Sequence, residues 1–410
     1  MPTIRHASRW KALLLSGAVL CLAFNASARA ANFESPQDGV YADHIDWGMT
    51  ADMSGPSSGA QNPWGQGFQD AVKVVNEKGG VGGRKINVLV EDTRYDATAE
   101  RVAYEKFVSQ TPALGTSGMG NSSAQTAMVP LIKRSKLPVV GTYTTAKAAV
   151  EPPTPYFYGG FCGFKEMAQT GVGFFTDHLA LKQPTVALVH LDVASGKEYA
   201  GYMEAAVTAR GGTFKAIPIK VVAADATPQV LDILAMKPDF VAIHGVTTTS
   251  ILVMKAMLQY GINAPAFAIS YLGTPTVYDG LGPDAGKNYY FVSCFSPASS
   301  DLKVSVALSA AADKFGHSAL KDDVNYVAGY VIGNMVADAI GKAGAEPTRE
   351  KLSAMLNTGY VANTGGLSSE LKYTPTDHFG LTALKPLSFD YATKSFKSYG
   401  EYADFGKYLQ

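Results

Sequence analysis

The sequence predicts an α/β fold built from two doubly wound lobes. Three observations carry this. Short, continuously apolar segments alternate with segments whose apolar residues recur at helical spacing, the pattern of parallel strands covered on both faces by helices. The alternation runs once from about residue 45 to 140, then restarts after a Pro-rich and aromatic stretch, Glu151–Phe164. The 410 residues, 47% of them hydrophobic, exceed one typical domain of about 100–200 residues and can fill two cores.

In the first series Ile45–Met49 reads as a buried strand, followed by a loop, Ala51–Pro63. Trp64, Phe68, Ala71, Val72 and Val75 then lie on one face of a helix that Gly79-Gly80 ends. Ile86–Val90 is a strand and Ala97–Gln110 a helix. Leu114 leads into a Gly/Ser loop, Ser123–Ser135 is helical, and Pro138–Val140 is a short strand.

The second series places helices at Met167–Leu179, Glu198–Arg210, Pro228–Ala235 and Ser250–Tyr260. Its strands are Thr185–His190, Phe214–Ile219, Phe240–Ile243, Phe267–Ile269 and Tyr290–Val292. Beyond Pro297 the chain turns helical at Val304–Phe315, Tyr326–Ala343 and Arg349–Asn357, before strand-like pieces such as Ala383–Phe389.

Residues 1–30 form a separate unit. Arg5, Arg9 and Lys11 precede the apolar run Ala12–Phe24, and Ala28-Arg29-Ala30 closes it, the order of a secretory signal peptide. The run is short of the ~20 residues that span a bilayer. The whole chain balances 35 basic against 35 acidic residues. Without residues 1–30 it keeps 31 basic and 35 acidic, a net charge of −4. Such a balance argues against a nucleic-acid partner bound through a broad basic face. Three cysteines exclude a disulfide-dense scaffold, and after Cys21 is removed only Cys162 and Cys294 remain, to bridge or stay buried as thiols.

Enzyme motifs are mostly missing. Gly115–Met119 fails the nucleophile elbow at its last position, and Gly118-Met119-Gly120 lacks the third glycine of a dinucleotide loop. Gly79–Lys85 lacks a phosphate loop's G-K-[ST] ending and reads as a helix stop and turn. Ser300-x-x-Lys303 and Ser369-x-x-Lys372 lack their companion motifs. No H-x-x-x-H or C-x-x-C occurs, so neither a metal site nor a cofactor nor a catalytic residue is expected. His190 and His244 end apolar strands, where they contact a ligand or sit satisfied on a rim.

An ordered set of segments resembles the type I periplasmic substrate-binding proteins of ABC importers, in the leucine/isoleucine/valine-binding branch. Met53-Ser54-Gly55-Pro56 follows the first strand, and Trp64-Gly65 opens the first helix. Asn76–Val81 with Gly83–Ile86 is close to the family's "N-x-x-G-G-I-x-G-x-x-(I/L)". Asn121–Ala124, Leu137–Val140, Phe240–Gly245 with Tyr260-Gly261, and Tyr326–Tyr330 complete the set, over roughly residues 44–400.

The resemblance implies a three-strand hinge, with crossings near 160–164, 294–297 and 359–366. Lobe 1 is then 44–160 plus 297–358, and lobe 2 is 164–293 plus 366–410. Cys162 and Cys294 fall on neighbouring crossings, where a disulfide is a hypothesis. The implied function is periplasmic: a monomer that closes on a small molecule and delivers it to ABC permease membrane subunits. A ligand-sensing receptor subunit and a secreted enzyme are the alternatives from other classes.

The family's ligand positions map onto Trp64 as an aromatic wall, and onto Ser122 and Ser123 as hydroxyls for a carboxylate. Tyr143 and Thr145 form a second anion-holding turn. The plain alternatives are core packing for Trp64 and capping for the hydroxyls. In lobe 2 the positions are Ser195, Val246, Thr247 and Tyr271. Tyr271 stands where the family has the acidic partner of a ligand ammonium, a costly loss for an amino acid unless Asp192 or Glu166 substitutes. The expected ligand is therefore a carboxylate with a hydrophobic or aromatic tail, with a branched-chain or other amino acid as the alternative.

Overall fold

The computed structural model describes residues 33–404. The expected signal peptide lies outside the described residues. Chain order in the first series is β1 (His44–Ala51), α1 (Ser58–Glu77), β2 (Lys85–Asp92), α2 (Ala97–Ser109), β3 (Thr116–Gly118), α3 (Ser122–Ser135), β4 (Val139–Thr142), α4 (Lys147–Val150) and β5 (Phe157–Gly159). These strands form one parallel sheet in the order β2-β1-β3-β4-β5.

The second series runs α5 (Phe164–His178), β6 (Thr185–Leu191), α6 (Ala194–Thr208), β7 (Thr213–Ile219), α7 (Thr227–Met236), β8 (Phe240–His244), α8 (Thr247–Gln259), β9 (Ala266–Ala268), α9 (Pro275–Gly286) and β10 (Tyr289–Ser293). Its parallel strands take the same order, β7-β6-β8-β9-β10. The chain then returns to lobe 1 as α10 (Val306–Lys314), α11 (Val324–Lys342) and α12 (Arg349–Leu356). A hairpin of β11 (Leu371–Thr374) and β12 (Asp377–Leu381) follows. Finally β13 (Ala383–Asp390), β14 (Ser395–Ser398) and β15 (Ala403–Asp404) extend the second sheet antiparallel to β10.

The expected two-lobed α/β architecture is what forms, and bonds explain the return to lobe 1. Gly67 of α1 and Gly329 of α11 let these helices touch backbone to backbone: a Cβ on Gly67 would collide with the Tyr326 carbonyl, and one on Gly329 with the Trp64 carbonyl. Arg349 of α12 donates to the carbonyls of Ala113 (2.9 Å) and Phe107 (3.1 Å), which ties the segment to the first sheet's loops.

The chain's last passage between lobes comes later than the sequence reading places it. Residues 366–410 were expected in lobe 2, yet the hairpin 371–381 lies on the open edge of the first sheet. The Tyr373 hydroxyl donates to the Gly159 carbonyl, and His378 Nδ1 lies 2.9 Å from the Phe157 carbonyl. Both carbonyls belong to the edge strand β5, so the hairpin covers an edge otherwise open to pairing. Only from Ala383 does the chain join the second sheet.

Beside the second crossing, Ser296 N–H donates to Leu367 O at 2.8 Å and Ser369 N–H to Cys294 O at 3.0 Å, so these two segments run side by side. Cys162 joins them through a disulfide to Cys294, with Cα atoms 5.9 Å apart.

Several helices begin earlier than apolar periodicity suggests. α1 starts at Ser58 and carries Pro63 inside it, where the sequence reading has a loop to Pro63. α5, α6 and α8 likewise start at Phe164, Ala194 and Thr247, three or four residues ahead of expectation. β3, β5 and α9 carry no strong periodic signal and were not expected as elements.

Candidate functional site

Each sheet is wound outward from its first strand, so β1 and β3, and likewise β6 and β8, diverge at a switch point. Loops leaving the carboxyl ends of such strands form the crevice of an open α/β sheet. Here the two crevices face each other and enclose a cavity of about 50 Å³. Lobe 1 lines it with Pro56 and Ser57 after β1, Tyr95 after β2, Gly120 and Ser122 after β3, and Tyr143 and Thr144 after β4. Lobe 2 contributes Phe164 at the start of α5, Leu191 and Ser195 after β6, His244 to Thr247 after β8, and Ile269, Tyr271 and Leu272 after β9.

Five helices point their amino ends at this space. Ser57 is the N-cap of α1, Ser122 opens α3, Phe164 opens α5, Ser195 is the second residue of α6, and Val246-Thr247 starts α8. Such ends offer unpaired N–H groups and partial positive charge. The α1 end is already engaged, since Asp52 accepts from Ser57 N–H at 2.7 Å and from Gly55 N–H at 2.5 Å. In α3 the Asn121 side chain takes the Ser123 and Ala124 N–H groups. No Asp, Glu, Lys or Arg is among the lining residues. The polar surface is hydroxyl, backbone and the His244 imidazole, and the apolar surface includes Phe164, Leu191, Ile269 and Leu272.

The lobes touch across the cavity. Tyr271 hydroxyl donates to Thr144 Oγ1 at 3.3 Å, and the Tyr143 and Tyr271 rings lie 5.0 Å apart. Tyr143 hydroxyl donates to Asn325 Oδ1 at 2.8 Å, and Asn325 Nδ2 donates to the Tyr271 carbonyl at 3.0 Å. Tyr95 and Ser195 line the cavity from opposite lobes. Burial holds the phenols of Tyr143 and Tyr271 well above their ordinary range, so both remain donors. Burial, then neighbouring His190, presses His244 down to about 3, which keeps its imidazole neutral, and its Nδ1 has no partner.

A family model described as periplasmic binding protein matches residues 45–388. The chain belongs to the periplasmic binding protein family. Solved structures share the fold of this periplasmic binding protein. One is a fatty acid ABC transporter substrate-binding protein from Thermomonospora curvata, at 20% identity and TM-score 0.79, covering 92% of this chain and 96% of that one. Another is a branched chain amino acid ABC transporter from Thermus thermophilus with bound valine, at 20% and 0.80, covering 89% and 98%. A third is a solute binding protein from R. palustris in complex with 4-hydroxybenzoate, at 17% and 0.76, covering 89% and 99%. A search of curated proteins finds no match.

Of the residues that sequence reasoning assigned to this binding protein's site, the fold brings Ser122, Tyr143, Ser195, Val246, Thr247 and Tyr271 to the cavity. Trp64, Ser123 and Thr145 are not among its lining. Trp64 is fully buried, stacked on Phe68 at 5.5 Å with its edge toward Tyr143 at 6.2 Å, so it packs among the aromatic residues beside the wall rather than forming it. Ser123 is exposed. Thr145 turns into the protein, its hydroxyl 3.2 Å from that of Thr142, and its neighbour Thr144 takes the cavity position. Neither candidate counter-charge is in the lining: Asp192 is exposed and pairs with Lys197 at 3.0 Å, and Glu166 is buried elsewhere.

Sequence reasoning missed Ser57, Tyr95, Thr144 and Phe164. Phe164 reads as the end of a linker because α5's first turn faces the cleft. Tyr95 lies in a loop at φ +61°, a left-handed conformation that leaves no periodic trace in sequence.

Proposed function

We propose that this protein binds a small carboxylate with a hydrophobic or aromatic tail and hands it to an ABC import permease from the periplasm. One observation carries the ligand class: helix amino ends and hydroxyls converge on a cavity whose lining has no charged side chain. A carboxylate gains from such ends, while an α-ammonium would find no carboxylate opposite it. Tyr271 at the family's acidic position supports the same reading. Phe164, Leu191 and Leu272 give the part of the ligand next to its carboxylate an apolar wall.

Transport is the role that goes with family membership, and the signal-like residues 1–30 support export. Among the described residues no helix is long and apolar enough to cross a membrane. A binding rather than catalytic role fits a lining that shows no nucleophile paired with a base. Calorimetry on protein unfolded, stripped and refolded tests the ligand class against aromatic acids, aliphatic acids and amino acids. Micromolar or tighter binding of an aromatic or aliphatic acid, with leucine weaker by at least tenfold, is the expected result. Tight leucine binding without any organic acid overturns the proposal.

A further inference from the structure

A second chamber adjoins the cavity. It measures about 630 Å³ and opens on the solvent side of the cleft, where Val222 is 83% exposed. Lobe 1 supplies Gly55, Pro56 and Gly59, and lobe 2 supplies the loop 221–224 and one side of α8, including Thr248, Ile251 and Leu252. Pro56 and Thr247 line both spaces, so they form the partition between them. The lobes approach closely here: a Cβ placed on Gly59 would stand 3.3 Å from Thr247 Oγ1. No charged residue lines the chamber.

Volume decides what the two spaces can do together. Small-molecule sites occupy about 300–1,000 Å³, and the inner cavity falls far below that range. It has room for a carboxylate head and little more, whereas the outer chamber has the size and apolar wall for a chain. We propose that the outer chamber is a tail subsite, and that the ligand is an amphiphilic monocarboxylate whose apolar chain passes between Pro56 and Thr247. This rests on the carboxylate reading of the inner cavity and adds a length requirement to it. Val221, Ala223, Ile251 and Leu252 would contact the methylenes, and a side chain at Gly59 would crowd Thr247 at the passage.

A homologous series separates the two claims. Purified full-length protein, stripped and refolded, is titrated with ω-phenylalkanoates from benzoate to 8-phenyloctanoate, and with the matching primary amides. Affinity should rise about threefold to fourfold per methylene once the chain passes the partition, the increment for a buried methylene. Ala223→Trp and Thr248→Trp, which fill the chamber without touching the inner lining, should weaken the longest acid at least tenfold and leave benzoate within twofold. Binding of benzoate with no gain along the series overturns the tail subsite alone. Amides binding as tightly as acids, or no binding by any acid, overturns the carboxylate reading and the subsite with it. Should a tryptophan variant fail to fold, the wild-type length dependence still decides.

Discussion

The Asn325 side chain bridges the two lobes: its Oδ1 accepts from the Tyr143 hydroxyl at 2.8 Å, and its Nδ2 donates to the Tyr271 backbone carbonyl at 3.0 Å. One amide thus orients a tyrosine of lobe 1 and holds the turn that carries a tyrosine of lobe 2. The cavity wall and the contact between the lobes thus share a residue that is not in the cavity lining.

Tyr271→Asp should convert preference. A carboxylate there restores a counter-charge for an α-ammonium and repels an organic acid. The expected outcome is at least a tenfold loss of organic-acid affinity and a measurable gain for leucine, read by calorimetry. Tyr271→Phe removes only the bond to Thr144 and should weaken the closed complex by about 0.5–1.5 kcal/mol. Equal ligand preference in Tyr271→Asp and wild type would show that position 271 does not select.

The Cys162–Cys294 bridge closes a loop of sequence separation 132. Disulfides typically stabilise by about 2–4 kcal/mol. Cys162→Ser with Cys294→Ser should lower unfolding free energy by that order in denaturant titration. Thiol titration of denatured, unreduced protein lacking residues 1–30 should find no free thiol, and two free thiols would refute the bridge.

Glu100 is fully buried, and neither carboxyl oxygen has a hydrogen-bond partner. Burial pushes it up to about 7, with the Thr50 and Thr93 hydroxyls beside it only partly offsetting that. The sign follows from proton counting. Between about pH 4.5 and 7 the unfolded chain has lost this proton and the folded chain keeps it, so rising pH costs stability through that window. Glu100→Gln should therefore raise thermal stability more at pH 8 than at pH 5, by up to about 1–3 kcal/mol. A stability gap independent of pH would contradict the buried, unpaired carboxyl.

Gly329→Ala should destabilise lobe 1. The added Cβ meets the Trp64 carbonyl, which is helix backbone and cannot swing aside. Overpacking of this kind costs about 1–3 kcal/mol. Chemical denaturation should show a lower midpoint, whereas Gly201→Ala, at an open helical position, should raise it through a helix-propensity gain of about 0.5–1 kcal/mol. Equal midpoints would mean that α1 and α11 have room to separate.

Sequence alone determined the two-lobed α/β class, because buried parallel strands and amphipathic helices leave apolar patterns whose spacing is local. The family resemblance, rather than any periodic pattern, pointed to Ser122, Ser195, Val246, Thr247 and Tyr271, which line the cavity. Tertiary structure alone decided which of two adjacent residues faces the cavity, Ser122 over Ser123 and Thr144 over Thr145. That choice depends on how each turn rotates its side chains once the strand ends. It also decided that Trp64 packs beside the cavity instead of lining it, and that the hairpin 371–381 covers an edge of lobe 1. The first turns of α5, α6 and α8 were invisible for a related reason. They face a cleft rather than a core, so their side chains carry no apolar period, and they are the turns that build the site.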